Sequence, residues 1–169
     1  MTKNQFLNAV TNGGAEVVKK ILALLKQTKT DYCVIGGLAV NAYAEPVVSL
    51  DIDIVIVADN IGAFLKKASA AFKVESFPHS INLTAKESDL RIQLQTDLRY
   101  QEFIDRATLC KVLGQDMKVA SLQDVFQGKL WAYCDERRRK SKRQKDLADI
   151  YRLVESHPHL KKKLPASLK

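Results

Sequence analysis

The sequence predicts an α/β (α+β) fold, a mixed β-sheet flanked by helices with C-terminal helices closing one side. Three observations point there. Residues 49–57 read Ser-Leu-Asp-Ile-Asp-Ile-Val-Ile-Val, an alternating strand that puts Leu50, Ile52, Ile54 and Ile56 on one face and Asp51 and Asp53 on the other. Residues 32–35 are a short buried-strand run that meets a tight turn at Gly36-Gly37. Apolar residues recur at helical spacing around residues 18–25 and again after residue 121, so helices bracket the strands.

At 169 residues with 46% hydrophobic content the chain suits one domain with a core of its own, and the composition excludes a disordered protein. We expect a single domain over residues 1–169, with a core at about 30–120, a C-terminal helical part at about 121–156 and a basic tail at 157–169. Cys33, Cys110 and Cys134 are odd in number and far apart, which fits reduced thiols and neither a disulfide framework nor a metal-ligand spacing. The opening residues lack the apolar stretch of a signal peptide and no run is long enough to cross a bilayer, so a cytoplasmic protein is expected.

In chain order, Val18, Ile21, Leu22 and Leu25 form the stripe of a scaffold helix, separated by Gly13-Gly14 from a short leading segment and ended by polar residues 27–31. The Gly36-Gly37 turn then opens a short helix and aims backbone N–H groups at whatever lies over it, which suits phosphate. Pro46 keeps that helix from running into the acidic strand. Residues 61–72 have helical spacing and 72–77 read as a strand. Residues 81–84 and 90–96 read as a hairpin around a polar turn, the second strand placing Leu90, Ile92 and Leu94 on one face and Asp89, Arg91, Gln93, Gln95 and Asp97 on the other. Residues 107–119 read as another hairpin, turning at Gly114.

Ser121 carries a capping signature for a helix whose apolar arc is Leu122, Val125, Phe126, Leu130, Ala132 and Tyr133, with Lys129 in the middle of that arc. Such a lysine either snorkels along the core or delivers its ammonium into a cleft. Trp131 falls on the opposite side, as a contact surface or packed against the basic segment. The last helix is expected over residues 145–155, with Leu147, Ile150, Tyr151 and Val154 on its core face. Asp146 and Asp149 fall in its first turns, where the helix dipole favours them, and Lys145 is spaced to pair with Asp149. His157 and Pro158 end it, and the tail around Pro165 is expected to be mobile.

Asp51 and Asp53, two carboxylates on one strand face, repel one another unless a cation lies between them, and magnesium with its preference for hard oxygen ligands is the natural one. The net charge is +8, and seven of the nine residues 137–145 are basic: Arg137, Arg138, Arg139, Lys140, Lys142, Arg143 and Lys145. That density suits a polyphosphate partner such as RNA; the plainer alternative is a solvated basic loop, since no aromatics are interleaved to stack bases.

Gly36-Gly37-Leu-Ala39, Ser49 two residues before Asp51-Ile-Asp53, Lys129, and Lys145-Asp146-Leu-Ala-Asp149 together resemble the nucleotidyltransferase superfamily, with its polymerase-beta-like fold. The likeness spans most of residues 32–153 and is strongest to small bacterial members related to AbiEii-type toxins. It implies that Gly36, Gly37 and Ser49 seat the phosphates of an NTP, that Asp51 and Asp53 hold Mg2+, that Lys129 meets the triphosphate, and that Lys145 and Asp146 border the cleft. It also implies a third carboxylate on the strand beside the acidic pair. Gln93 stands at that position, with Asp89 and Asp97 on the same face but each about 13 Å away along an extended strand. Related toxins often carry an arginine shortly before the aspartates, where this chain has Val47 and Val48.

The activity this implies is magnesium-dependent transfer of a nucleotidyl group from an NTP to RNA, tRNA by resemblance, or to a protein hydroxyl. The competing expectation is a catalytically silent relative that binds nucleic acid or a partner protein. A toxin role with an antitoxin partner is compatible with both.

Overall fold

Helix α1 (Gly14–Gln27) forms on the expected stripe and buries Val17, Val18, Ile21 and Leu25. The computed structural model describes residues 2, 5, 8, 9 and 12–169, so most of the leading segment lies outside the described residues. After α1 the chain runs β1 (Tyr32–Ile35), α2 (Gly36–Val40), β2 (Asp51–Ile56), α3 (Ile61–Ala68), β3 (Lys73–Phe77), β4 (Ser80–Thr84) and β5 (Arg91–Gln95). It continues through α4 (Gln101–Asp105), β6 (Thr108–Val112), β7 (Gln115–Val119), α5 (Leu122–Cys134) and α6 (Lys140–Ser156).

Among the described residues, seven strands make one mixed sheet in the order β3-β4-β5-β2-β1-β7-β6. The acidic strand β2 is central, antiparallel to β1 and parallel to β5. Its register decides the site: Asp53 faces Ile35 on one side and Gln93 on the other, while Asp51 faces Arg91. Ile52, Ile54 and Ile56 are buried on the apolar face. Val55, on the acidic face, is fully buried too, so that face is open only at its Asp51 end.

Several elements depart from expectation. Helix α3 stops at Ala68 and the chain turns before Phe72, which is buried. Strand β3 pairs with β4 across Pro78-His79, so β3, β4 and β5 form a meander rather than one isolated hairpin. Helix α6 starts at Lys140, five residues early, which puts Lys140, Lys142 and Arg143 on helix rather than in a loop. Its buried residues are Asp146, Ile150 and Leu153, and Tyr151, expected on the core face, is exposed. The shift arises because the buried stripe contains a carboxylate, which an apolar pattern search passes over. The C-terminal segment forms short 3-10 turns, with Leu160 and Leu164 buried against the core ahead of Pro165.

Candidate active site

The site grows from the junction of β1, α2 and β2. Gly36 has φ 70°, in the left-handed region. It lies so close to the acidic strand that a Cβ there would sit 2.1 Å from Asp53 Oδ2 and 2.9 Å from its Cγ. Glycine is required twice over, by backbone conformation and by the approach of the carboxylate. Gly36→Ala is therefore expected to rotate Asp53 out of place. The loss of stability should be about 2–4 kcal/mol, because the left-handed backbone strains any side chain and Asp53 must also move aside. The Mg2+ and NTP binding expected from the sequence should fall far more, which calorimetry on the folded variant measures.

Asp53 is half-buried, and burial, reinforced by the neighbouring Asp51, pushes its carboxyl up to about 6 against the pull of Lys129, Arg138 and Lys142. Burial at Asp53 thus outweighs the three cations around it. Asp51 is held by Arg91, whose Nε donates to Oδ1 at 2.9 Å, and by Lys142 at 3.6 Å from Oδ2. Ser49 closes the turn into β2: its Oγ donates to the Asp51 carbonyl at 2.9 Å. Gly37 backs onto Ser49 and Asp149. An open cleft of about 880 Å³ brings these groups together with Lys129, Lys145 and Asp146 along its wall.

Lys129 does not end free in that cleft. Its Nζ lies 3.0 Å from Asp146 Oδ1 and 2.7 Å from Asp149 Oδ2, and the residue is 8% exposed. Burial pulls the ammonium's pKa down, and Asp149 with Asp146 more than offsets it, leaving the pKa raised. Arg138 Nε reaches Asp146 Oδ2 at 2.7 Å, and Arg152 bridges Asp149 Oδ1 at 2.7 Å to Asn41 Oδ1 at 2.9 Å and to the Glu45 carbonyl. Five ionised side chains thus lock α5 and α6 to the connector between α2 and β2. Asp146 and Asp149 lie well inside α6, so the capping explanation does not apply, and Asp149 turns to Lys129 and Arg152 rather than to Lys145.

Of the residues considered for the third carboxylate, Gln93 sits beside Asp53 and faces a small cavity of about 90 Å³ behind it. Asp89 lines the main cleft and accepts a hydrogen bond from Asn12 at 2.7 Å. Asp97 is committed elsewhere: it caps the turn Leu98–Tyr100 and holds Arg99, whose hydrogen bonds lower its pKa. The basic run divides. Arg138 and Lys142 turn inward, and Arg143 donates to the Tyr133 carbonyl at 2.7 Å and lies over that ring. Arg137, Arg139 and Lys140 face solvent. Trp131 packs against Tyr100 and stacks on Phe103, with Arg99 over its ring, so it serves packing.

Arg91 and Arg152 also line the cleft, with no local sequence signal that places them there. Arg91 was legible as one of the side chains sharing a face with Gln93, but its place beside Asp51 depends on the parallel pairing of β2 with β5, which no local pattern encodes. Among the described residues no helix is long and apolar enough to cross a membrane.

Solved structures share this fold. The antibiotic-resistance factor ANT(2'')-Ia aligns with a TM-score of 0.58 at 12% identity, over 88% of this chain and 91% of its own. The lincosamide antibiotic adenylyltransferase LnuA, solved with lincomycin bound, aligns at 0.56 and 14% identity over 80% and 95%. An antigenic nucleotidyltransferase-like protein from Paracoccidioides brasiliensis aligns at 0.57 and 22% identity over 83% and 74%. At such identities the likeness establishes the fold. No curated protein matches the sequence at a significant level. The sequence model of the family described as nucleotidyl transferase AbiEii toxin, type IV toxin–antitoxin system, matches residues 23–168. With that match running from within α1 to the C-terminal turns, the chain belongs to the AbiEii nucleotidyl transferase toxin family.

Proposed function

We propose that the protein is a magnesium-dependent nucleotidyltransferase that moves a nucleotidyl group from an NTP to RNA, with tRNA as the natural candidate. The observation that carries this reading is the acidic pair of β2 at the open end of its strand face, both carboxylates lining the cleft and Asp53 close against Gly36. The donor set fits magnesium: two carboxylates supply hard oxygens, and the raised pKa of Asp53 marks a site where a further positive charge is favourable. Asp51 and Asp53 would hold the ion, which when bound supplies charge neutralisation on the phosphate oxygens.

The chain's own groups do the rest. Gly36, Gly37 and Ser49 seat the phosphates, and Lys145 lies at the cleft wall to meet them. Lys129 acts chiefly by fixing Asp146 and Asp149 and by lending positive potential to Asp53, the largest cationic influence on that carboxyl. The acceptor hydroxyl attacks the α-phosphorus, the bond from that phosphorus to the bridging oxygen breaks, and pyrophosphate leaves. Gln93 cannot take the hydroxyl proton, so it passes to Asp89, which lines the same cleft, or to water. Arg137, Arg139 and Lys140 provide the outward basic edge for the RNA backbone.

Label position tests the reaction. An NTP labelled at its α-phosphate should mark the acceptor, while the γ-labelled nucleotide should release all its label as pyrophosphate. Label from the γ-position in the acceptor would identify a kinase instead, and label in protein rather than RNA would identify a protein hydroxyl as acceptor.

A second reading is favoured by Gln93 beside Asp53: a catalytically silent relative that binds RNA or a partner such as an antitoxin through its basic edge. It predicts steeply salt-dependent RNA binding that is indifferent to replacing both aspartates with alanine, and no NTP turnover.

A further inference from the structure

Arg91 has no role in the reading above, and Lys142 has only its place in the basic run, yet together they hold Asp51 from both sides. Arg91 projects from β5 directly across the pairing register from Asp51. Its Nε and Nη2 lie 2.9 and 2.8 Å from Asp51 Oδ1. Lys142, on the first turn of α6, covers Oδ2 at 3.6 Å. Both oxygens of a carboxylate expected to hold a divalent ion are thus occupied by the chain's own cations, and an ion entering alone must displace them.

The displacement is local. The side chains of Arg91, Lys142 and Asp51 are 41%, 33% and 29% exposed, so these contacts are weakly held. Both cations line the same cleft as Gly37 and Ser49, where the phosphates are read to sit. Arg91 is anchored at a fixed strand position, and its planar fork matches two phosphate oxygens as well as it matches a carboxylate.

We propose that Arg91 and Lys142 form a triphosphate clamp parked on Asp51 in the free protein, released when a nucleoside triphosphate arrives with its divalent ion. Asp51 passes to the ion, and Arg91 and Lys142 pass to the phosphate oxygens, so no charge is left without a partner. Ion and triphosphate therefore bind cooperatively, because the ion alone breaks the pairs without providing the cations a new anion. The clamp rests on the nucleotidyl-transfer reading.

Calorimetry on the full chain tests it, with Mn2+ alone and then with Mg2+ and an NTP analogue whose α–β bridge is methylene. Arg91→Gln should bind Mn2+ alone about threefold to fivefold more tightly than the parent protein, because a competing exposed ion pair is gone. It should bind the analogue about tenfold to a hundredfold more weakly, because a charge-assisted contact to phosphate is gone. Arg91→Lys, which keeps the charge without the fork, should fall between, and Lys142→Ala should shift both affinities in the same senses by less. Coincident thermal unfolding curves establish that the variants are folded. Mn2+ affinity that is unchanged or weaker in Arg91→Gln overturns the clamp, as does unchanged analogue affinity. If the parent protein binds neither Mn2+ nor the analogue, the nucleotidyl-transfer reading itself falls and the clamp with it.

Discussion

Replacing Lys129 with alanine should destabilise the protein by about 3–5 kcal/mol, the cost of leaving buried carboxylates without their cation. Asp146 and Asp149 both lean on this ammonium, at 3.0 and 2.7 Å, and are themselves largely shielded from water. Arg138 and Arg152 satisfy one oxygen of each, so the variant is expected to fold but to unfold at clearly lower urea concentration. Transfer should fall by about a hundredfold or more, because the positive potential beside Asp53 disappears and the docking of α6 against α5 loosens. A second variant separates the two effects. In Lys129→Met/Asp149→Asn one carboxylate is removed with the lysine, so part of the stability should return while transfer stays lost. Full recovery of transfer in that double variant would mean that Lys129 serves structure alone.

Asp53→Asn should act in opposite directions on stability and activity. The carboxyl titrates at about 6 in the fold, above its ordinary value of 3.8. Its folded-state value is raised, so the stability gained from the protonated form is fully present below about pH 4 and is lost as pH rises through about 6. At pH 7.5 the ionised group therefore weighs against the metal-free fold, and the neutral amide should stabilise it by about 1–3 kcal/mol. The gain should shrink as pH falls toward 4. Transfer, by contrast, should drop about a thousandfold or more, since a carboxylate expected to hold the ion has become an amide. Denaturant titrations at pH 4.5 and 7.5 measure the first effect. A variant no more stable than the parent at pH 7.5 would show that the cations around Asp53 already balance its charge.

These two residues also mark where sequence reasoning succeeds and where it stops. Asp53 was legible because a period-2 strand places every second side chain on one face, and Gly36-Gly37 was legible because few other pairs make so abrupt a strand-to-helix turn. The strands are legible from the same alternation, but their order and direction in the mixed sheet are not. Lys129 was visible as an anomaly on an apolar arc, but its partners were not: Asp146 and Asp149 lie on another helix and are brought to it only by the packing of α5 on α6. The inward face of α6 was misplaced for the same reason, since a stripe made of Asp146, Ile150 and Leu153 does not look apolar until its charge is paired. Asp97 is a candidate carboxylate on strand alternation alone, which places it on Gln93's face and does not show that its carboxylate holds Arg99. The pairing of Arg91 with Asp51 needed the parallel register between distant strands, which sequence periodicity does not carry.

Asp51 and Asp53 are expected to form the centre of a nucleotidyl-transfer site. Incubation of the purified protein with each α-labelled NTP, magnesium and total RNA, beside the Asp51→Ala/Asp53→Ala double variant, tests it most directly. The account predicts that one or more nucleotides label RNA in a magnesium-dependent manner and that the double variant, folded by circular dichroism, transfers none. Equal labelling by the variant, or no transfer by the parent protein with any nucleotide or acceptor, would contradict it.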